Sequence, residues 1–260
     1  MIVDGREIAE EILNRLAEEV KKLKPLTLAA VLAGNNPNSK KFIGLKRKAA
    51  EKIGIGFVIH EFPEKISTEE LRKKIAESTK LSDGIIIELP LPPHINTQYV
   101  LDIIPIEKDV DVLSQKAQGA FFANQSKILP PSVEAVKTIF AKYDINPIGK
   151  NCAVFGHGLL VGKPISHWLT AQGANVSIIT EHTLNPTPHI LSADIIISGV
   201  GIPNLITADL VKAGAIVIDF GPDVDFEPVS AKAFLITPPV GGVGPIVIAS
   251  VLKNLVGLGE

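Results

Sequence analysis

A lysine at position 46 lies on the apolar side of a helix that the sequence predicts over residues 38–53. At about 100° per residue, the apolar side chains of this segment share one face with the lysine: Phe42, Ile43, Leu45, Ala49, Ala50 and Ile53. Because burying an ammonium group is costly, Lys46 must be paired, lose its charge or face a cleft. The alternative is a boundary lysine that extends its charged end to water.

Carboxylates at three later positions also require an explanation. Glu88 ends the apolar segment GIIIE, and its charge needs a partner if the side chain is buried, so we expect it to pair with Lys46. Asp109 and Asp111 alternate in EKDVD and point to opposite sides if the segment is extended. One could then face a ligand while the other caps or pairs. The alternative is that both are solvated loop residues.

A glycine-rich turn, GHGLLVG, follows the apolar run CAVF and precedes a predicted helix. Its glycines are Gly156, Gly158 and Gly162, a spacing one residue longer than the dinucleotide fingerprint. A strand, a tight turn and a helix start allow close backbone approach to a pyrophosphate at the positive end of a helix dipole. An ordinary strand–helix turn is the alternative explanation.

Glu181 follows the next predicted strand, where a carboxylate would meet the ribose of an adenosine. A carboxylate there favours the free 2′-hydroxyl of NAD and repels the 2′-phosphate of NADP. The alternative is a solvated loop glutamate.

A second glycine-dense segment, Gly241-Gly242-Val243-Gly244-Pro245, precedes the last predicted helix. It could form a backbone cradle under a ligand, or only a sharp turn. The six histidines are scattered without metal-ligand spacing, so no metal site is predicted. The single cysteine, Cys152, lies in an apolar run, and no disulfide framework is expected.

The charge and the terminal sequence exclude several classes of protein. The formal net charge of the 260 residues is −2, without a block of like charge, which argues against nucleic acid or an anionic membrane as a partner. The start MIVDGREIAEEI lacks the features of a signal peptide, and the apolar runs are strand-sized. A cytoplasmic protein is therefore expected.

Strand-like and helix-like segments alternate, which predicts an α/β protein with parallel sheets. Predicted helices cover residues 4–24, 38–53, 67–79, 162–172, 207–213 and 246–259. Predicted strands cover residues 27–33, 57–61, 84–89, 151–156, 175–180, 195–200 and 215–220. A loop-rich stretch over 105–131 separates two α/β series, which join near residue 125.

Five motifs stand in one order along the chain: NPNSKKFIGLKRKA, GIIIELPLPP, EKDVD, VGKP and TPPVGGVGP. With them the chain resembles the bifunctional methylenetetrahydrofolate dehydrogenase/cyclohydrolase family over essentially its full length. The resemblance implies two α/β domains with a substrate cleft between them. It assigns residues 1–125 to a catalytic, folate-binding domain and residues 126–244 to a Rossmann-like NAD(P)-binding domain with a parallel sheet. It further implies that a C-terminal helix over 245–260 packs back on the first domain and that the protein is a homodimer.

The resemblance also implies two reactions on tetrahydrofolate substrates. A hydride passes from the methylene carbon of 5,10-methylenetetrahydrofolate to the nicotinamide, and the methenyl bridge is then hydrolysed to the 10-formyl product. Lys46 matches the family's catalytic lysine, and Asp111 matches the aspartate that anchors the pterin. Residues matching the cofactor side are Gly156, His157, Gly158 and Pro222, and residues matching the substrate-side loop are Gly241, Gly242 and Pro245.

This sequence departs from the family's pattern at several functional positions. Phe42 replaces a tyrosine, which keeps a stacking face and loses a hydroxyl. Glu88 replaces a glutamine and should favour the charged form of Lys46, so we expect hydride transfer to survive better than hydrolysis. His157-Gly158 replaces Arg-Ser in the cofactor loop, and Ile246-Val247 replaces Met-Thr after GGVGP. For the choice of cofactor, the carboxylate of Glu181 favours NAD, whereas the resemblance to the family favours NADP.

Two further functions remain open from the sequence. One is a folate- or nucleotide-binding relative that has lost turnover, which the departures motivate. The other is a different Rossmann oxidoreductase acting on a small acid. The Lys46 helix and the LPLPP and GGVGP loops count against the second, since the fold alone does not require them.

Overall fold

The computed structural model describes residues 1–259, in which helices and strands alternate, and the predicted α/β fold class with parallel sheets is confirmed. The helices are α1 Gly5–Val20, α2 Pro37–Lys52, α3 Thr68–Ser78, α4 Thr97–Leu101, α5 Gln115–Phe122, α6 Pro131–Lys142, α7 Gly162–Ala171, α8 Thr187–Leu191, α9 Phe226–Ser230 and α10 Val243–Gly259. The strands are β1 Thr27–Ala33, β2 Gly56–Phe62, β3 Gly84–Ile87, β4 Asn151–Phe155, β5 Asn175–Ile179, β6 Ile195–Ser198, β7 Ile216–Asp219 and β8 Leu235–Ile236.

One compact unit, here called the three-stranded unit, comprises residues 10–131 together with residues from 248 onward. Its parallel sheet has the order β2-β1-β3, with β1 in the centre. From Leu28 to Ala33 every side chain of β1 is buried, as expected of a strand covered on both faces.

The last helix is part of the packing of this unit. A Cβ on Gly84 would lie 2.6 Å from a methyl of Leu255 and 2.8 Å from a methyl of Val110, so only glycine lets these side chains meet over β3. Asn254 is buried, and its Nδ2 donates 2.8 Å hydrogen bonds to the carbonyls of Val110 and Leu129. The helix is therefore held by both apolar and polar contacts.

The five-stranded unit comprises residues 1–9 and 132–247. Its strands are all parallel and have the order β5-β4-β6-β7-β8. The chain runs from β4 outward to β5 and then crosses to β6 on the other side of β4. The carboxyl ends of β4 and β6 thus flank a topological switch point, where open parallel sheets bind ligands.

Two of the predicted elements are wrong. Residues 207–213 form no helix but a series of turns, in which Leu210 N donates to Thr207 O at 3.1 Å and Val211 N to Ala208 O at 3.3 Å. The Thr207 hydroxyl also bonds the Asp209 carboxylate at 2.5 Å, a local bond that competes with helix formation.

The stretch over 105–131 is also more regular than predicted, because it contains α5, and the Ser114 hydroxyl accepts from Ala117 N at the start of that helix. None of the helices within residues 1–259 combines the length and apolar character that crossing a membrane requires.

Candidate active site

Helix α2 presents Lys46 on its buried face. The helix begins after Asn36, whose side chain accepts from the backbone N–H groups of residues 38 and 39. Its buried side chains are Ser39, Ile43 and Ala50, and Lys46 lies between the last two at helical spacing. The predicted apolar face is wrong at Phe42 and Leu45, which are 46% and 42% exposed. The buried stripe is centred on residues 39, 43 and 50, so the other two lie at its margin.

The predicted partner of Lys46 is present. Glu88 follows β3 directly, and its backbone N–H continues the ladder by donating to Val31 O at 3.0 Å. The Lys46 ammonium donates to Glu88 Oε1. Their side chains are only 13% and 8% exposed, so each charge depends on the other. The boundary-lysine alternative is therefore wrong.

The two aspartates of EKDVD have different surroundings. Asp109 is buried, and its carboxylate accepts from Leu113 N at 3.0 Å and Ser114 N at 2.7 Å. Burial raises its pKa against the opposing effect of these bonds. Asp109 thus closes the turn before α5, as an aspartate that caps would do.

Asp111 is half-buried beside the ion pair. Burial raises its pKa to about 6, the Lys46 charge opposes this rise, and the Glu88 and Asp109 charges add to it. One ammonium and three carboxylates therefore interact in the three-stranded unit. Such a cluster can accept hydrogen bonds from a ligand at Asp111 and present an ammonium proton at Lys46. The exposed Phe42 ring, one turn earlier on α2, offers an aromatic face.

The glycine-rich turn directly follows β4 in the five-stranded unit. Gly156 has φ +85°, and its N–H donates to Ile179 O at 2.8 Å, which ties the turn to the end of β5. A Cβ on Gly162 would lie 2.1 Å from Gly156 O, so the turn can close only with glycine there. A Cβ on Gly158 would meet nothing within 4 Å, so the backbone at this position is open.

The turn leads into α7, a helix whose N-cap residue, Val161, makes no side-chain capping bond. The first N–H groups of a helix and its dipole attract an anion when no side chain caps them. The tight turn, the open backbone at Gly158 and this helix start fit the pyrophosphate of a dinucleotide. His157 is exposed in the same turn.

Two other residues predicted to contact a cofactor lie on loops after neighbouring strands. Glu181 lies two residues after β5, its side chain is 82% exposed, and its Oε1 lies 3.6 Å from His182 Nε2. Pro222 is exposed on the loop after β7, where its carbonyl accepts from Asn204 N at 3.1 Å.

The segment GGVGP is tightly packed in the five-stranded unit. A Cβ on Gly242 would lie 2.3 Å from Pro238 O, and a Cβ on Gly5 would lie 1.7 Å from Gly242 O. Gly241 has φ +82°, and Pro245 lies in the first turn of α10. These contacts explain the glycines as a close backbone approach, and they also hold the loop in one conformation.

Sequence reasoning missed a group of buried polar residues at the ends of β6 and β7. Asp219, Asp223 and Ser198 are all at least nine-tenths buried. Asp219 accepts from Gly221 N at 2.8 Å, and burial together with the Asp223 charge raises its pKa to about 6. The available signal was a pair of acids four residues apart after the apolar run AIVI. No cluster of three or more His, Cys, Asp or Glu side chains within residues 1–259 is arranged to hold a metal ion.

A glycine turn at the switch point of a parallel sheet places the five-stranded unit in the dinucleotide-binding class of α/β folds. The other α/β unit carries the buried lysine–carboxylate cluster. Residues 3–111 match the domain family described as tetrahydrofolate dehydrogenase/cyclohydrolase, catalytic domain. Residues 130–260 match its NAD(P)-binding domain. The chain therefore belongs to the tetrahydrofolate dehydrogenase/cyclohydrolase family, and the resemblance found in the sequence is confirmed.

Individual members of the family are similar to this chain over nearly its whole length. The bifunctional protein FolD of Nautilia profundicola is 42% identical, over 98% of this chain and 95% of the relative. The crystal structure of the bifunctional enzyme FolD from Campylobacter jejuni has a TM-score of 0.95 and 33% identity, covering 100% of this chain and 98% of the other. A Trypanosoma brucei methylenetetrahydrofolate dehydrogenase–cyclohydrolase complexed with NADP and inhibitor has a TM-score of 0.94 and 30% identity, with 100% and 97% coverage.

We expect Glu88→Leu to lower the free energy of unfolding by about 3 kcal/mol, because the buried Lys46 charge would lose its partner. The double variant Lys46→Met/Glu88→Leu should recover most of this loss, which denaturant unfolding would measure. The matched control is Glu10→Leu, which breaks the half-exposed pair with Lys52 and should cost less than about 1 kcal/mol. Equal losses in the two single glutamate variants would contradict a buried pair at Lys46.

Proposed function

We propose that this protein oxidises 5,10-methylenetetrahydrofolate to 5,10-methenyltetrahydrofolate with NAD(P)⁺ and hydrolyses the methenyl bridge to 10-formyltetrahydrofolate. The observation that carries the proposal is the buried Lys46–Glu88 pair with Asp111 beside it, within the residues that match the family's catalytic domain. Residues 1–125 would supply the folate site, and residues 126–244 the dinucleotide site. When bound, the nicotinamide supplies the hydride acceptor.

The residues of the three-stranded unit would hold the folate. The ionised Asp111 carboxylate accepts hydrogen bonds from N–H groups of the pterin, and the exposed Phe42 ring stacks on a flat face. Positioning of the two reactants makes the larger contribution to hydride transfer, which needs no acid–base group of the protein.

Hydrolysis makes a different demand on the same cluster. Lys46 would assist the proton transfers as water adds to the methenyl bridge. The Lys46 ammonium already donates to Glu88, so it is less available to the methenyl bridge and to the attacking water. We therefore propose that the hydrolase step is the slower of the two activities.

The first experiment mixes purified protein with 5,10-methylenetetrahydrofolate and follows reduced-cofactor and methenyl absorbance together. Reduced cofactor with accumulating methenyl product is the expected result. No reduction with either NAD or NADP would contradict the proposal and favour a binding-only relative. That alternative is not favoured, because the catalytic lysine is retained and the full-length relatives named above are bifunctional enzymes.

Glu88→Gln should raise the cyclohydrolase rate by about tenfold, since a neutral amide holds the Lys46 ammonium less strongly than the carboxylate does. Dehydrogenase activity should change little, and a coupled assay of both steps gives the ratio. Glu61→Gln is the matched control, because Glu61 is exposed on β2. A Glu88→Gln variant that hydrolyses more slowly than the parent would show that the carboxylate itself takes part.

Folate binding should weaken as the pH falls through about 6, the pKa to which burial raises Asp111. Below that pH the carboxyl is protonated and loses an acceptor for the pterin N–H groups. The dissociation constant of tetrahydrofolate should rise about tenfold between about pH 7 and about pH 5. Calorimetry under anaerobic conditions measures this dissociation constant. The variant Asp111→Asn should lose its pH dependence. A parallel pH dependence in both proteins would assign the effect to another group.

We propose NAD as the preferred cofactor. Glu181 is exposed after β5, where its charge would repel a 2′-phosphate, and the turn carries His157-Gly158 where the family has Arg-Ser. Glu181→Ser should lower the KM for NADP about tenfold and leave the KM for NAD nearly unchanged. Glu227→Ser, an exposed glutamate of the same unit, is the control. An unchanged KM for NADP in Glu181→Ser would refute the role of this carboxylate.

A homodimer and a cytoplasmic location remain predictions. Light scattering on the purified protein measures the molecular mass and decides the first. A mass of 27.8 kDa in solution would mean a monomer.

A further inference from the structure

One of the buried carboxylates near the ends of β6 and β7 organises the loop that follows β6. Asp223 lies on the loop after β7 and is fully buried. Its Oδ2 accepts from Ser198 Oγ at 2.5 Å and from Val200 N at 2.7 Å. Its Oδ1 accepts from Gly201 N at 2.7 Å and from Ile202 N at 2.8 Å. Both oxygens therefore bind the end of a neighbouring strand.

The four donors around Asp223 require a side chain with two acceptor oxygens, which an ionised carboxylate provides. Three consecutive N–H groups converge on one place, which the φ of +82° at Gly201 makes possible. Converging backbone N–H groups form a concave site for negative charge. An ionised carboxylate is acceptor-only on both oxygens, so Asp223 can satisfy all of these donors at once.

The backbones of the two loops are also bonded to each other. Ile206 N donates to Asp223 O at 2.9 Å, and Asn204 N donates to Pro222 O at 3.1 Å. Residues 199–206 are therefore held against the loop that carries Pro222 by both side-chain and main-chain bonds.

The segment that Asp223 holds packs directly on the glycine-rich turn. A Cβ on Gly199 would lie 2.7 Å from Val161 Cγ1, and a Cβ on Gly156 would lie 3.3 Å from Val200 Cγ2. Because Gly156 follows β4 and Gly199 follows β6, these contacts lie at the switch point of the sheet. A shift of the segment after β6 would therefore alter the shape of the crevice.

We propose that Asp223 is a positioning residue of the dinucleotide site. Its buried carboxylate holds residues 199–202 in the conformation that forms one wall of the crevice at the switch point. Asp223 acts through the backbone of Val200, Gly201 and Ile202 and does not itself contact the cofactor. This role rests on the proposed function, because it assigns the crevice to a dinucleotide.

The test is Asp223→Asn, studied in the full chain. An amide has one acceptor oxygen, so at least one N–H of residues 200–202 loses its bond. The dissociation constant of NAD or NADP, whichever the parent binds, should rise about tenfold or more by calorimetry. Hydrogen exchange of the amides of residues 200–202 should accelerate in the ligand-free protein. The KM for the folate substrate should stay at the parental value.

The matched control is Asp225→Asn, the same chemical change two residues later at a side chain that makes no capping bond to α9. It should bind the dinucleotide as the parent does. Parental binding by Asp223→Asn would overturn the positioning role. Equal weakening of folate and dinucleotide would also overturn it, because that result describes a general loss of structure.

If Asp223→Asn does not fold, a second variant tests whether the conformation of residues 199–202 controls dinucleotide binding. Gly201→Ala leaves the carboxylate in place and meets no atom within 4 Å, yet it strains the backbone at φ +82°. Weaker dinucleotide binding with an unchanged folate KM supports the proposal, and parental binding refutes it. A parent protein that binds neither NAD nor NADP would overturn the proposed function and this role with it. Binding by the parent that Asp223→Asn leaves unchanged overturns the role alone.

Discussion

Parallel strand pairing is the constraint on which the rest of this structure depends. In a parallel sheet all carboxyl ends lie at one edge, so residues that follow different strands become neighbours. Glu88 follows β3 in the three-stranded unit, while Gly156, Gly199 and Asp219 follow or end strands of the five-stranded unit. The positions of these carboxyl ends are determined by short strands whose side chains are almost all buried. The chemistry-bearing residues are therefore brought together by the sheets and not by their own spacing.

Burial of charge is the second constraint, and the chain meets it in three ways. Glu88 is paired with the ammonium of Lys46. Asp109 and Asp223 accept several hydrogen bonds, between them from N–H and O–H donors. Burial raises the pKa values of Asp111 and Asp219 to about 6, so their charge depends on the pH of the medium. Buried aspartates of this one protein thus differ in their hydrogen bonding and in their pKa, because their surroundings differ.

This chain shares the fold of its relatives but departs from the family's pattern at several residues of the proposed site. A TM-score of 0.95 at 33% identity shows that the fold is shared although about two thirds of the aligned residues differ. The departures from the family's pattern lie at positions that we propose to face the reaction: Phe42, Glu88, His157 and Gly158. Each changes a hydrogen-bonding or charged group. Such changes can alter the balance of the two activities and the choice of cofactor without a change of fold.

The sequence by itself determined the alternation of strands and helices, the parallel sheets, the glycine turn before α7 and the pairing of Lys46 with Glu88. These follow from local hydrophobic periodicity and from the cost of an isolated buried charge. The helix expected over 207–213 is absent because local turn bonds compete with an apparently helical pattern. Phe42 and Leu45 were expected within the buried stripe of α2 and lie at its margin.

Only the tertiary structure showed that Asp223 bonds the segment after β6, that Asp109 closes a turn and that Asp111 lies within the electrostatic influence of the Lys46–Glu88 pair. These bonds join residues whose contact depends on how distant strands are ordered in a sheet. A pattern read along the chain reports which residues need partners, but the partners themselves are decided by the three-dimensional path of the backbone.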